Sequence, residues 1–293
     1  MSADAAGRTG VGGARRPASL GGGFSYRRLN RLRALAQLLA LAFLVAVPLL
    51  NLAGVHWIVG TLYSISIGEL DIADPAMALQ TVLLTKDLFP RLLLAAALPA
   101  VLALVLGRVF CSWLCPYQTL LEWVDRFERR FLKQRWARKR RRRVASNPHP
   151  AAYWLILAGL LLAAMTFGVP LLSWLSAPGI VSSQVAQAVL GMGPGLELGI
   201  VAVLLVAEVA LARRFWCKYA CPVGATLSLF RTRRTLHITC DAARCTCRPG
   251  SEACAVACPL GLLPRAGDVY PHCFNCGSCL AACEKLQRDA LHF

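Results

Sequence analysis

Four long apolar stretches constrain the fold of this chain more than any other feature of its sequence. They cover roughly residues 34–55, 92–110, 151–172 and 196–212, and each could cross a hydrocarbon core about 30 Å thick as a helix. Hydrophobic residues make up 57% of the 293 residues, more than a soluble protein of this length usually carries. The sequence therefore predicts an α-helical membrane protein with four transmembrane helices.

The distribution of basic residues predicts how these helices are oriented. Eleven arginines and lysines lie between residues 126 and 143, whereas the segment 168–196 has none and the segment 56–90 has only Lys86. Basic residues accumulate in cytoplasmic loops. Both termini and the middle loop are therefore predicted on the cytoplasmic side of a bacterial inner membrane, and the other two loops in the periplasm. The net charge of +17 has the same origin, and no basic segment is interleaved with a fold that reads nucleic acid, so nucleic-acid binding is not expected.

The first 33 residues are rich in Gly, Ala and Arg and are predicted to form a disordered cytoplasmic tail. A cleavable signal peptide is the alternative, but the apolar stretch that follows is too long for the hydrophobic region of one.

The thirteen cysteines are concentrated in the second half of the chain. None lies in the first 110 residues, four form two matching pairs, and nine fall within the last 54 residues. Since the predicted topology puts all of them on the reducing side of the membrane, metal ligation is favoured over disulfide bonds.

The C-terminal motif carries the sharpest chemical signal. Cys273, Cys276, Cys279 and Cys283 have the spacing C-x2-C-x2-C-x3-C, in which three cysteines bind one 4Fe–4S cluster and the fourth binds the neighbouring cluster. Gly277 is expected to relieve crowding between the thiolates. Zinc is the alternative, but zinc sites usually use two separated C-x2-C pairs. The upstream Cys258, which precedes a proline, is predicted as the fourth ligand of the cluster held by Cys273, Cys276 and Cys279.

A second 4Fe–4S cluster is predicted from the remaining cysteines of this segment. Its ligands would be Cys254, Cys283 and two of Cys240, Cys245 and Cys247, and the sequence leaves open which two. A single cluster with spare free thiols is the competing interpretation.

The two cysteine pairs outside this segment belong to an internal repeat. Arg108-Val-Phe-Cys111 continues to Cys115-Pro, and Arg214-Phe-Trp-Cys217 continues to Cys221-Pro, each at the end of an apolar stretch. We refer to these four residues as the motif cysteines. Positions i and i+4 share one face of a helix, so each pair is predicted to present two thiols at the cytoplasmic interface. These thiols could bind metal, form a redox-active dithiol or dock the C-terminal segment; inert packing is the alternative.

Glu208 is an ionisable residue predicted inside the fourth apolar stretch. A charged group in a membrane helix is costly and indicates a proton or quinol site, so Glu208 is the candidate catalytic residue. Its position about 8 Å from the interface also allows its carboxylate to reach the interface without a functional role. No haem-attachment motif, dinucleotide fingerprint or phosphate-binding loop occurs, and none of the five histidines lies in the middle of an apolar stretch.

Together these motifs resemble the NapH/MauN-type membrane ferredoxins, and within them the NapH-type subunits of quinol dehydrogenases. The resemblance extends from about residue 27 to the C-terminus and includes the segment from Asp74 to Gln80, both C-x3-C-P motifs and Glu208. It implies electron transfer from membrane quinol through cytoplasmic clusters to a soluble ferredoxin-type subunit and a periplasmic reductase such as nitrate reductase. The family has a compact first ferredoxin half, which is expanded here between Cys245 and Cys254.

The predicted architecture is thus two repeated helical hairpins followed by a C-terminal α+β ferredoxin-like module with two 4Fe–4S clusters. An electron-transfer subunit is the favoured function. The alternatives are an assembly factor for a copper oxidase, methylamine dehydrogenase or nitrous oxide reductase, and a zinc-binding scaffold. The predicted segments are a tail (1–33), a first hairpin (34–126), a basic loop (127–150), a second hairpin (151–234) and the module (235–293).

Overall fold

The computed structural model describes residues 26–61, 64–131, 148–193, 195–210, 214–241, 243–247, 252–286 and 290–293. Most of the predicted N-terminal tail and residues 132–147 of the predicted basic loop lie outside the described residues.

Each of the four apolar stretches contains a helix. In chain order the helices before the C-terminal module are α1 (Tyr26–Leu52), α2 (Pro75–Thr85), α3 (Pro90–Leu106), α4 (Val109–Trp113), α5 (Pro116–Phe131), α6 (Pro150–Phe167), α7 (Leu171–Trp174), α8 (Ala177–Val189), α9 (Leu196–Ala210), a π-helix (Trp216–Ala220) and α10 (Pro222–Leu229). Prolines at the first helical position begin α3 and α6, and glycines follow their last residues, as local preferences predict.

Two of these helices have the length and composition to cross a membrane. They are the segment Arg28–Leu52 of α1 and the whole of α6. The apolar helices α3 and α9 have 17 and 15 residues, or about 25 and 22 Å at the helical rise of 1.5 Å per residue. Within the described residues there are therefore two candidate spans, and the arrangement of four spans in repeated hairpins stays a prediction.

The connection between α1 and α3 is an ordered substructure. Strands β1 (Ile58–Gly60), β2 (Ser64–Ile67) and β3 (Leu70–Ala73) form an antiparallel sheet in the order β1-β2-β3, and β3 lies along α3. Helix α2 follows at once because Asp74 accepts a hydrogen bond from the backbone N–H of Ala76 at 3.2 Å and Pro75 occupies the first helical position.

The connection between α6 and α9 contains α8, which, like α2, begins with a side-chain N-cap and a proline in its first turn. Ser176 caps α8 by accepting a hydrogen bond from the N–H of Gly179 at 3.3 Å. Helix α8 packs on α5, which follows the first cysteine motif, whereas α2 packs on α10, which follows the second. In each half, the helix in the connection between the two apolar helices thus packs on the helix that follows the cysteine motif of the other half.

The C-terminal module contains β4 (Thr239–Cys240) paired antiparallel with β5 (Leu291–His292), the helices α11 (Ala253–Ala257) and α12 (Ser278–Lys285), and a 3-10 turn (Pro264–Ala266). Helix α12 packs against α1 and α11. Gly277, just before α12, has φ +72°, and a Cβ atom there would lie 2.6 Å from Leu29 Cδ2. The absence of a side chain at Gly277 therefore serves the close approach of α1, a contact that the sequence did not predict.

Candidate iron–sulphur and thiol sites

The first predicted ligand group converges within the module. Cys258 follows α11, Cys273 and Cys276 lie in the turn before α12, and Cys279 lies in α12. The thiol of Cys279 interacts electrostatically with the other three. The backbone N–H of Leu262 donates to Cys258 Sγ at 3.4 Å, a contact that favours a thiolate. The structure brings these four residues together, and their ligation of one cluster stays a prediction.

Apolar side chains enclose this group. Leu260, Leu262, Val269 and Phe274 form one buried cluster with Cys276, and Cys258 and Cys273 pack against it. Burial raises the pKa of the Cys273 thiol to about 12. A free thiol there is protonated at neutral pH, so metal binding must release its proton.

The second predicted group contains five cysteines for four ligand positions. Cys240 interacts electrostatically with Cys245 and Cys283, and Cys254 interacts with Cys247, Cys240 and Cys245. Burial raises the pKa of the Cys254 thiol to about 12. Cys240, Cys245 and Cys247 all face this group, so the choice between them stays open.

Neither group is arranged for a single metal ion. Within the described residues, no three potential ligands lie close enough together to hold one ion. This finding concerns a single ion rather than a wider four-iron cluster. Both groups consist of thiols, which is the donor set of iron–sulphur clusters. Apolar side chains enclose the first group, whereas Arg265 lies within electrostatic range of Cys240 in the second.

The four motif cysteines converge on one small cavity. Cys111, Cys115, Cys217 and Cys221 line it together with Arg108, Tyr117 and Phe274. The two cysteines of each pair face the same cavity, but neither pair lies within one continuous α-helix. Cys111 lies in α4 and Cys115 in the break before α5, whereas Cys217 lies in the π-helix and Cys221 directly precedes α10.

Arg108 links this cavity to the module. Its side chain is 3% exposed, and its guanidinium donates to the carbonyl oxygens of Pro271 at 2.8 Å, His272 at 3.3 Å and Cys217 at 3.4 Å. The same group lies 5.4 Å from the ring centre of Tyr153. A Cβ atom at Gly224 would collide with the guanidinium, so Gly224 leaves the space that Arg108 occupies.

Two further side chains hold the module against the motif region. Ser112 Oγ donates to the carbonyl oxygen of Phe274 at 2.8 Å. Asn275 Nδ2 donates to the carbonyl oxygens of Leu106 at 2.9 Å and Leu236 at 2.6 Å. No sequence motif predicts this role for Ser112, Asn275 or Arg108. The one sequence feature that could have indicated this contact is the arginine three residues before the first cysteine of each motif.

His272 adds a neutral contact to the same interface. Its Nδ1 lies 2.9 Å from the carbonyl oxygen of Lys218, and burial lowers the pKa of the imidazole to about 4. The ring is therefore uncharged at neutral pH.

Glu208 lies at the end of α9, 5% exposed. Its two carboxylate oxygens accept hydrogen bonds from the backbone N–H groups of Phe215 at 2.6 Å and Trp216 at 2.7 Å. These contacts cap the start of the π-helix that carries Cys217. A catalytic role for Glu208 stays a prediction, and the contacts described are those of a residue that positions the second motif.

Comparison with known proteins relates this chain to 4Fe-4S binding and ferredoxin-type proteins. A family model described as a 4Fe-4S binding domain matches residues 88–143 and 194–238, the segments that contain the motif cysteines. The ferredoxin-type protein MauN of Methylorubrum extorquens, named for methylamine utilization, is 29% identical over 86% of this chain and 73% of its own length. The ferredoxin-type protein NapH of Escherichia coli is 26% identical over 87% of this chain and 86% of its own length. No solved structure matches.

Proposed function

The chain is a homologue of the ferredoxin-type proteins MauN and NapH, and we propose that it is a membrane electron-transfer protein that oxidises quinol and passes the electrons through two 4Fe–4S clusters. The electron acceptors are a soluble ferredoxin-type protein and a periplasmic reductase chain. The protein lies in the inner membrane with both termini in the cytoplasm.

The continuity of three cysteine groups supports this proposal. Cys111 and Cys217 pack against the apolar cluster that contains Cys276, and Cys273 packs against the same cluster. Cys254 and Cys279, from the second and first ligand groups, share the next buried cluster. Shared apolar clusters therefore connect the cavity of the motif cysteines with both ligand groups of the module.

The residues around each group suit redox-active iron. A bound 4Fe–4S cluster exchanges one electron at a time, and its potential depends on burial, on nearby charge and on hydrogen bonds to sulfur. Apolar side chains and the N–H of Leu262 supply these conditions around Cys258. The buried charge of Arg108 lies within electrostatic range of Cys111, Cys217 and Cys221.

The purified protein provides the first test. We expect anaerobic preparations to be brown, to contain about eight iron and eight acid-labile sulphide atoms per chain, as two 4Fe–4S clusters require, and to lose their absorbance near 400 nm when menaquinol or ubiquinol is added. Clusters that stay oxidised with excess quinol but are reduced by dithionite would disprove quinol oxidation. A colourless, iron-free preparation would leave only the zinc scaffold.

The similarity to MauN favours a second candidate, a maturation factor whose clusters reduce a metal or a thiol during assembly of a periplasmic or membrane metalloenzyme. The genes adjacent to this one discriminate between the two functions. A nitrate reductase operon supports electron transfer from quinol, and a copper-oxidase or methylamine dehydrogenase operon supports maturation.

The motif cysteines have their own expected result. Replacing Cys115 by serine should leave the spectrum of the clusters intact and slow their reduction by quinol roughly 10- to 100-fold, as loss of a group beside a redox centre often does. The measurement is stopped-flow bleaching with menaquinol, with dithionite reduction as the control for cluster content. Loss of cluster iron from this variant would instead make Cys115 a cluster ligand.

A further inference from the structure

Asp74 is a buried carboxylate of which only one oxygen has a partner. Its Oδ1 caps α2 through the N–H of Ala76, whereas Oδ2 has no hydrogen-bond partner in the described part of the chain. The residue is 7% exposed, and burial raises the pKa of its carboxyl group to about 6. Leaving an acceptor of this kind unpaired is costly, so the free oxygen indicates a missing donor.

A cavity of about 330 Å³ lies beside Asp74, within the size range of small-molecule sites. Most of its lining is apolar, with α3, α4 and β3 as its walls. Besides Asp74 it includes Ile72, Leu98, Leu102, Phe110 and Leu114. Asp74 also lines a cavity of about 480 Å³ whose walls include Ser173 and Ser176. A ligand of the apolar cavity would itself be largely apolar and would present one hydrogen-bond donor to Asp74.

The cavity lies next to exposed apolar surface on α3. Leu98 and Leu102 line it and are half exposed on α3, an apolar helix of the kind that packs against hydrocarbon. With α3 in the bilayer, as its sequence predicts, a ligand dissolved in lipid would reach the cavity between these leucines.

The cavity also adjoins the first cysteine motif. Phe110 lines it and directly precedes Cys111, and the Asp74 carboxylate is close enough to Cys111 to interact with it electrostatically. A redox-active ligand bound here would lie beside the proposed electron route. Glu208 offers no comparable site, because both of its oxygens already accept backbone hydrogen bonds.

We infer that this cavity binds the head group of a membrane quinol, with Asp74 Oδ2 accepting the hydrogen bond of one quinol hydroxyl group. This inference rests on the proposed oxidation of quinol and gives it a position. A lipid acyl chain could fill the same apolar space, but it has no donor for Asp74.

The direct test is binding of the fluorescent quinol analogue 2-heptyl-4-hydroxyquinoline N-oxide to the purified protein, followed by fluorescence quenching. Asparagine keeps the N-cap acceptor, so Asp74→Asn should fold normally. We expect its dissociation constant for the analogue to rise about tenfold or more, because a hydrogen bond to a charged acceptor is lost. An unchanged dissociation constant would overturn the role of Asp74.

A pair of variants on α3 tests the cavity itself. Leu102→Trp should obstruct it and weaken binding at least as much as Asp74→Asn does. Val101→Trp is the matched control, since Val101 is similarly exposed on the same helix (57% against 51%) and does not line the cavity. Equal binding by the two tryptophan variants would overturn the location.

The wild-type protein separates this inference from the proposed function. If menaquinol reduces the clusters of the wild type while Asp74→Asn and Leu102→Trp bind the analogue normally, the site is wrong and quinol oxidation stands. If quinol does not reduce the clusters of the wild type and the analogue does not bind, the proposed function fails, and the site fails with it.

Discussion

Replacing Cys276 by serine should remove one of the two clusters and unfold much of the C-terminal module. Cys276 is 6% exposed and belongs to the apolar cluster of Leu260, Leu262 and Phe274, where serine would bury a hydroxyl group and remove a thiolate. Because the free energy of metal binding contributes directly to folding in small metal-binding modules, the loss should affect the whole segment. We expect iron to fall by about four atoms per chain, the content of one cluster, with rapid proteolysis of the segment 235–293.

The matched control is the same substitution at Cys115, a buried motif cysteine (5% exposed). It should keep its full iron content and resist protease as the wild type does. If the Cys276 variant keeps about eight iron atoms per chain, the content of two clusters, Cys276 is not a ligand and the assignment of the first cluster is wrong.

Replacing Arg108 by alanine should release the module from the motif region. The substitution leaves the carbonyl oxygens of Pro271, His272 and Cys217 without their buried donor. An unsatisfied buried acceptor costs about 1–3 kcal/mol, so the three together should destabilise the seated module by about 3 kcal/mol or more. Thermal bleaching of the clusters and limited proteolysis in detergent measure this effect.

Arg91→Ala is the control for the loss of a positive charge, because Arg91 is exposed near the start of α3. Gly224→Ala keeps Arg108 but takes up the space of its guanidinium, and should destabilise the module in the same direction. If Arg108→Ala bleaches at the same temperature as Arg91→Ala, the guanidinium does not hold the module in place.

The helices of this fold were predictable from local sequence, and the structure within the connections was not. The four apolar stretches each contain a helix because long apolar runs favour one, even with Pro48 inside α1 and Pro99 inside α3. Both connections contain recognisable helix starts, Asp74-Pro75 in the first and Ser176 followed by Pro178 in the second. The distribution of basic residues predicts only that these connections are periplasmic loops. That α2 packs on α10 and α8 on α5 depends on long-range packing, which sequence periodicity does not encode.

The candidate sites were predictable to a similar extent. The spacing of Cys273, Cys276 and Cys279 and the proline after Cys258 predict one group, and the structure brings these four residues together. The contact of Arg108 with Pro271 spans 163 residues and has no sequence motif of its own. Asp74 was noted only as part of a resemblance, because nothing in the sequence shows that one of its oxygens is buried without a partner.

The hydrogen bonds described between the module and the motif region run from side chains to backbone carbonyl oxygens. Arg108, Ser112 and Asn275 each donate to backbone carbonyl oxygens rather than to side chains. Every residue type supplies a carbonyl group, so the positions that accept these bonds can change identity without loss of the contact. Natural variation at the accepting positions should therefore be tolerated, while the three donors have few substitutes. One partly exposed ion pair, Arg231 with Asp268 at 3.3 Å, also joins the second hairpin to the module. Raising the salt concentration should weaken that pair and leave the bonds to carbonyl oxygens in place.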